Sequence, residues 1–193
     1  ITAGTVWICL SGNALPAPAA LILPVTTLDD FEKFEGMLVT LPQTLFISEY
    51  FNFDRYGEVV LSTSRQYTGT AVAEPGAPAN AVTLANSLAR ITLDDGVSTQ
   101  NPDPARHPNG LTFDLGNRFR GGDTVAGVTG VVDYSFGLYR IQRTAGATHV
   151  AANPRPATPD AVGGTIRVAS FNTLNYFTTL GSRGAGDAEE FSR

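Results

Sequence analysis

The sequence predicts a mainly β protein. Short apolar segments recur between turn signals from residue 34 onward, and no long helical period competes with them. The 193 residues include 20 glycines and 12 prolines, residue types that favour the tight turns between short strands. A hydrophobic fraction of 42% is typical of a globular chain, and this length accommodates one well-buried domain with part of a second.

Turn signals separate five or six expected strands. Their ranges are 36–41, 44–51, 58–61, 90–93, 124–133 and 138–142, with a tight hairpin at 133–137, helical turns at 28–34 and 81–90, and long loops at 69–88 and 98–116. So few short strands with such long loops suit a small barrel better than a sandwich of seven or more strands. The sequence therefore predicts an OB-like five-stranded Greek-key barrel, closed or nearly closed over 34–142.

Nine apolar residues are expected to supply most of the core of this barrel. They are Met37, Val39, Val59, Leu61, Ile91, Leu93, Val125, Val128 and Val131. Burying a valine or leucine side chain is worth about 1.5–3 kcal/mol, so this set could dominate the stability of a small barrel.

The chain divides into four segments in this interpretation. They are an N-terminal extended or strand segment (1–33), the barrel (34–152), a Pro/Gly-rich linker (153–164) and the start of a second domain (165–193). Prolines 154, 156 and 159 stiffen the linker and remove backbone donors. The last segment opens with an alternating strand, 165–171, and is too short for a core of its own. That strand lacks neighbours, so we expect it to be mobile.

Charge, cysteine content and hydropathy exclude several classes. The net charge is −5, with one lysine against 12 arginines, which disfavours strong autonomous binding to DNA. The single cysteine, Cys9, excludes an intrachain disulfide and a multi-cysteine zinc site. The longest apolar stretch, 14–25, is too short to span a membrane and contains three prolines, so no membrane partner is expected.

The C-terminal segment carries the most specific motifs. These are RVASFNTLNYFTTL at 167–180, RGA at 183–185 and EFSR at 190–193. They are preceded in the barrel by FEGMLV at 34–39, RYGE at 55–58, RITLDDG at 90–96, GGD at 121–123, VTGVVDY at 128–134 and FGLYR at 136–140, and at the start of the linker by NPRP at 153–156. In this order they resemble ExeM/NucH-type extracellular endonucleases, members of the endonuclease/exonuclease/phosphatase superfamily. The resemblance covers roughly residues 11–193.

This resemblance implies a fragment of a secreted bacterial nuclease that hydrolyses phosphodiester bonds of DNA or RNA with Mg²⁺ or another divalent cation. Segment 165–193 would then be the truncated first strand of an α/β four-layer sandwich, whose remainder is its missing partner. The family's strand-ending asparagine, which helps bind the metal and orient the phosphate, matches Asn172. An amide can donate to a phosphate oxygen without changing the charge of the site. Asn175, Tyr176 and Arg183 are secondary candidates.

The remaining catalytic groups of the family fall outside the matched positions. Its metal-binding glutamate and catalytic histidine lie further along the domain, whereas His107 and His149 precede the catalytic strand and are interpreted as loop histidines. One amide cannot hold the ion and activate water, so the isolated chain is expected to be inactive and to bind no metal.

Aromatic and arginine side chains in the barrel suggest a weak, salt-sensitive contact with nucleic acid. Single-strand binders combine stacking platforms with flanking cations. The candidates are Tyr56, Arg118, Phe119, Arg120, Tyr139 and Arg140. The alternative interpretation is that most of these aromatics fill the core or support hairpins, and neighbouring acidic residues would weaken phosphate binding.

Two other functions remain open. The barrel could be a non-catalytic binding or spacer module of a secreted protein, or the parent could be a phosphoesterase of the same superfamily that acts on a substrate other than nucleic acid. Glutamate, histidine and aspartate motifs downstream would favour the enzyme.

Overall fold

The structure, a computed structural model, describes residues 14–166 and 168–170. The chain forms two compact units, Ile1–Arg155 and Pro156–Arg193. The described part of the first unit is mainly β. Its elements are β1 (Ala19–Ala20), a 3-10 helix (Leu28–Phe34), β2 (Leu38–Leu41), β3 (Leu45–Glu49), α1 (Phe53–Tyr56), β4 (Val59–Ser62), α2 (Gly69–Val72), α3 (Ala77–Leu88), β5 (Arg90–Asp94), β6 (Thr124–Ala126), β7 (Val128–Ser135), β8 (Leu138–Arg143) and β9 (Thr148–Val150).

The nine strands form one sheet that curls into a half-barrel, in the order β1-β2-β7-β8-β5-β4-β3-β6-β9. Most neighbours are antiparallel, and β1–β2 and β5–β8 are the parallel pairs. A mainly β fold is therefore confirmed. Of the short strands at the two ends of this order, β1 lies in the segment expected to be extended or strand, whereas β9 was not expected from the sequence.

One of the expected strands is interrupted, and a proline separates two others. The segment 124–133 is split at Gly127, which has a φ of +68° that an L side chain rarely adopts. Proline 42 lies between β2 and β3 and has no N–H for a ladder bond. The strands on the two sides of Pro42 pair with the two halves of the split strand, through Leu41 with Val128 and Leu45 with Val125.

The core lies inside the curled sheet and contains seven of the nine expected residues. Two expectations were wrong. Met37 is 44% exposed, because it follows the Gly36 turn and precedes β2. Val131 is half-buried, because β7 alternates with a period of two and directs Val128 and Val132 inward instead.

The described part of the N-terminal segment contributes to the same core. Leu21, Leu23, Val25 and Phe31 are all buried against the strands, so the expected boundary at residue 34 does not separate two cores. Phe31 belongs to the 3-10 helix, which confirms the helical turn expected at 28–34.

Two further local expectations can be compared with the structure. The hairpin between β7 and β8 is confirmed, with Phe136 and Gly137 as its two-residue turn at φ values of +53° and +76°. Positive φ at both positions is the pattern of a type I′ turn, whose twist suits a hairpin. The helical turn expected at 81–90 is a 12-residue helix that starts earlier, at Ala77, with a proline in its first turn.

The second unit has no regular secondary structure in its described residues. The strand expected over 165–171 is not formed at 165–166 and 168–170, where Ile166 and Val168 are exposed. A lone strand has no partner for its backbone N–H and C=O groups. The alternation of apolar and polar residues in this segment is therefore not sufficient to form a β-strand.

Candidate functional site

A groove of about 430 Å³ lies over the outer face of β4 and β5 and is the main candidate site. Its floor includes Val60 and Thr92, which are paired across the two strands. Residues of the β3–α1 connection line one part of it, and residues of the β7–β8 hairpin line another. A concave, partly apolar surface with a few polar groups is the usual form of a ligand site.

The hairpin contributes two tyrosines to the groove. The ring centroids of Tyr134 and Tyr139 are 4.7 Å apart, and Tyr139 also packs against Phe31 at 5.7 Å. The Tyr139 hydroxyl donates to Glu32 Oε2 over 2.5 Å, and this hydrogen bond raises the pKa of Tyr139 to about 12. The ring of Tyr139 is therefore fixed in position at the groove, and its hydroxyl is already paired.

The β3–α1 connection contributes Tyr50 and Phe51, and both side chains are accessible. Tyr50 is half-exposed and Phe51 is 90% exposed. The ring of Tyr50 meets the ring of Phe119 edge-on, with centroids 5.7 Å apart. Edge-on aromatic pairs are favourable, so Phe119 holds Tyr50 in place from below.

Phe119, a candidate for nucleic-acid contact, lies in the interior, as the alternative interpretation of core-filling aromatics expects. Phe119 is 8% exposed, and its ring packs edge-on against Phe53 with centroids 4.8 Å apart. Phe113 and His107 complete this interior aromatic cluster at centroid distances of 5.3 and 5.5 Å. An aromatic side chain has a lower free energy when it packs against several other aromatic rings than when it is exposed to water, so the ring of Phe119 points into the interior.

Arg140, another candidate for nucleic-acid contact, is buried and paired with carboxylates. Arg140 is 3% exposed, and its Nη1 donates to Glu58 Oε1 at 2.6 Å and to Asp94 Oδ2 at 2.9 Å. Burial by itself lowers the pKa of Arg140, but the hydrogen bonds that Arg140 donates to these two carboxylates raise it above its ordinary value. Two buried carboxylates require a cation, and Arg140 meets that requirement instead of reaching solvent.

The other expected nucleic-acid residues are exposed but lie in different elements. Tyr56 ends α1, with the guanidinium carbon of Arg55 lying 5.2 Å from its ring centroid. Arg118 and Arg120 flank Phe119 in the segment before β6. Of the six candidates, Tyr139 lines the groove and Phe119 supports it through Tyr50.

The groove contains few charges that could meet a phosphate. Its one lining cation is Arg90, whose Nη1 lies 3.7 Å from Glu49 Oε2 in an exposed pair. Glu58 is occupied by Arg140 and by the amide of Asn52, while Asp29 adds a further carboxylate. The groove is therefore suited to flat, uncharged parts of a ligand.

His107 and His149 meet in the interior. His107 lies in a loop, as expected, although it is fully buried, whereas the expectation of a loop was wrong for His149, which lies in β9. Their ring centroids are 4.7 Å apart, and His149 Nε2 lies 3.2 Å from Asp123 Oδ2. Desolvation, followed by the neighbouring His149, lowers the pKa of His107 to about 4. Within 14–166 and 168–170, no group of three or more His, Cys, Asp or Glu side chains is placed to hold a metal ion.

Comparison with protein families gives one assignment for this mainly β domain with its aromatic groove. Residues 21–153 match a domain of unknown function, DUF8508, and the chain belongs to that family. The search of curated proteins and the search of solved structures each gave no match. Among the described residues no helix is long and apolar enough to cross a membrane. Asn172, Asn175, Tyr176 and Arg183 lie outside the described residues.

Proposed function

We propose that the half-barrel is an OB-like Greek-key barrel. When β2 with β3 and β6 with β7 are each counted as one interrupted strand, the pairings connect five strands in a ring. The ring includes a parallel contact between its third strand, β5, and its last, β8. Such a five-stranded Greek-key barrel binds ligands on the face of its second and third strands, which correspond here to β4 and β5.

The parent protein of this chain is, in this proposal, a secreted bacterial nuclease that depends on Mg²⁺ or a similar cation. The order of the motifs shared with ExeM/NucH-type endonucleases, from 34–39 to 190–193, supports it. Asn172 is the residue of this chain that would contact the metal and the scissile phosphate. No described group of acidic or histidine residues fits the ion, so the other ligands would come from the rest of the catalytic domain.

The barrel would act as an accessory module that brings single-stranded nucleic acid to that catalytic domain. The observation that carries this role is the aromatic groove on the β4–β5 face, where Tyr50, Phe51 and Tyr134 are accessible to bases. Stacking on such rings tolerates any sequence. With few cations in the groove, the contact is weak and serves to position the substrate.

A metal-dependence assay on the full-length parent tests the enzymatic part. Plasmid and single-stranded DNA should be cut with Mg²⁺ but not with EDTA, and Asn172→Ala should reduce kcat by about 10²- to 10³-fold. Asn80→Ala, which changes an exposed asparagine on α3, is the matched control and should retain full activity. Cleavage of small phosphodiesters without cleavage of DNA or RNA would identify a phosphoesterase with another substrate.

A second function is a non-catalytic module for an uncharged polymer such as a polysaccharide. The scarcity of unpaired cations in the groove favours it, because carboxylates accept hydrogen bonds from sugar hydroxyls but repel phosphates. Calorimetric titration of the full-length protein with neutral oligosaccharides and with oligothymidylate separates the two. If the oligosaccharides bind tightly and oligothymidylate does not bind, the polysaccharide function is supported and the nucleic-acid proposal is contradicted.

A further inference from the structure

Two arginines converge on the Gly121–Gly122 turn before β6. Arg65, from the β4–α2 connection, lies so close that a β-carbon on Gly122 would be 3.2 Å from its Nε. Arg120 Nη1 donates to the main-chain oxygen of Asn153 at 2.8 Å. The Asn153 amide in turn donates to Gly121 O at 2.7 Å, so the three side chains surround one turn.

Neither guanidinium is neutralised by a carboxylate in the described part of the chain. The nearest acidic side chain in sequence, Asp123, is 2% exposed and is already bonded to the N–H groups of Arg120 and Asn153 and to His149. Burial alone would raise the pKa of Asp123, but these bonds lower it, which keeps the carboxylate charged and turned inward. The exposed side of the turn is thus locally basic in a chain whose net charge is −5.

The same turn touches the groove. A β-carbon on Gly121 would lie 3.1 Å from Cε1 of Tyr50, so the half-exposed ring of Tyr50 is adjacent to the arginine pair. A nucleotide requires one contact for its phosphate and one for its base. The two arginines, which are not paired with carboxylates, can contact the phosphate, and the accessible ring of Tyr50 beside them can contact the base.

We propose that Arg65 and Arg120 bind the phosphates of a single-stranded nucleic acid whose base stacks on Tyr50, with the strand continuing into the groove. This inference rests on the proposed nuclease function. It explains how a groove with so few cations can receive an anionic polymer, since the phosphate backbone runs along the arginine edge while the bases face the aromatic rings. A duplex is excluded from this arrangement because its bases are paired and stacked.

Fluorescence anisotropy with labelled oligothymidylate and the 193-residue chain tests the proposal. Arg65→Ala should weaken binding about five- to ten-fold at low salt and reduce the slope of log K against log salt by about 0.7, the value for one phosphate contact on a single strand. Arg106→Ala removes the same charge from an exposed position that does not line the groove, and it should change neither quantity. Tyr50→Ala should weaken binding about ten-fold and leave the salt slope unchanged.

Arg65 is the cleaner probe of the pair because Arg120 also supports Asn153, and loss of that bond could disturb β9. An unchanged melting temperature of Arg65→Ala would exclude misfolding. The proposal is overturned if Arg65→Ala behaves like Arg106→Ala, if duplex DNA binds as tightly as the single strand, or if no binding is detected at low salt. None of these results would overturn the nuclease proposal. That proposal is tested separately by the assay with Asn172→Ala, which measures hydrolysis.

Discussion

Arg140 and Asp94 form a buried ion pair across the parallel strands β8 and β5. Arg140 Nη1 lies 2.9 Å from Asp94 Oδ2, and the two side chains are 4% and 11% exposed. The same nitrogen binds Glu58, which lies between α1 and β4 and also lines the groove. One cation therefore links two strands of the sheet to a loop that lines the groove.

Replacing Arg140 with methionine should destabilise the fold by about 3–5 kcal/mol, because Glu58 and Asp94 would remain buried without a counter-charge. Chemical denaturation gives the free energy of unfolding directly. The control is Arg90→Ala, which breaks an exposed pair with Glu49 and should cost about 0–1 kcal/mol. Equal costs for the two variants would show that the buried triad does not stabilise the fold.

Stability should fall as the solution is acidified from about pH 7, because His107 is buried in its neutral form. Its pKa in the folded state is about 4, below the ordinary 6.5 of an unfolded chain, so the unfolded state binds a proton first. The stabilisation is complete above 6.5 and is lost as pH falls through the window from 6.5 to about 4, by at most about 3 kcal/mol. The lowered pKa of Asp123 adds a further loss at still lower pH.

Denaturation at several pH values measures this dependence, and His107→Asn provides the comparison. In the wild type the backbone N–H of Asn109 donates to His107 Nδ1 at 3.0 Å. The side-chain oxygen of an asparagine at position 107 can still accept this hydrogen bond, but an amide does not titrate. The variant should show a flatter stability curve between pH 6.5 and about 4. A curve as steep as that of the wild type would assign the proton uptake to other groups.

Two glycines with nearly the same φ angle should respond differently to alanine. Gly36 has a φ of +73° and open space at the β-carbon position, so Gly36→Ala should cost about 1–2 kcal/mol of backbone strain. Gly57 has a φ of +71°, but a β-carbon there would lie 2.4 Å from the Asp95 carboxylate, which adds about 1–3 kcal/mol of steric overlap. Melting temperatures of the two variants would compare them, and a smaller loss for Gly57→Ala contradicts the packing described.

The local features of this fold could be predicted from sequence, whereas contacts between distant segments could not. The Phe136–Gly137 hairpin follows from adjacent residues. By contrast, Arg140 is buried because Glu58 and Asp94, 82 and 46 residues away, approach it. Nothing in the sequence marks Arg65 as a neighbour of Gly122. The sequence also does not indicate that Phe119 is buried while Tyr50 is half-exposed, because this difference depends on packing against several strands.

The isolated 193-residue chain should show no nuclease activity at any Mg²⁺ concentration. In the proposed function Asn172 supplies one of several catalytic contacts, each typically worth about 10²- to 10³-fold in rate, so this residue alone should give only background cleavage. Plasmid nicking by pure chain, assayed with and without EDTA, measures this. Metal-dependent nicking that disappears in Asn172→Ala would refute the expectation that one amide is insufficient.

Steady-state kinetics of the full-length parent on single-stranded DNA test most directly the proposed delivery of single-stranded nucleic acid to the catalytic domain by the aromatic groove. The comparison is Tyr50→Ala with Tyr67→Ala, since Tyr67 is also exposed but does not line the groove. Loss of a stacking contact remote from the chemistry should raise KM about ten-fold for Tyr50→Ala without changing kcat, and Tyr67→Ala should match the wild type. An unchanged KM for Tyr50→Ala, or equal effects of the two variants, would contradict the claim.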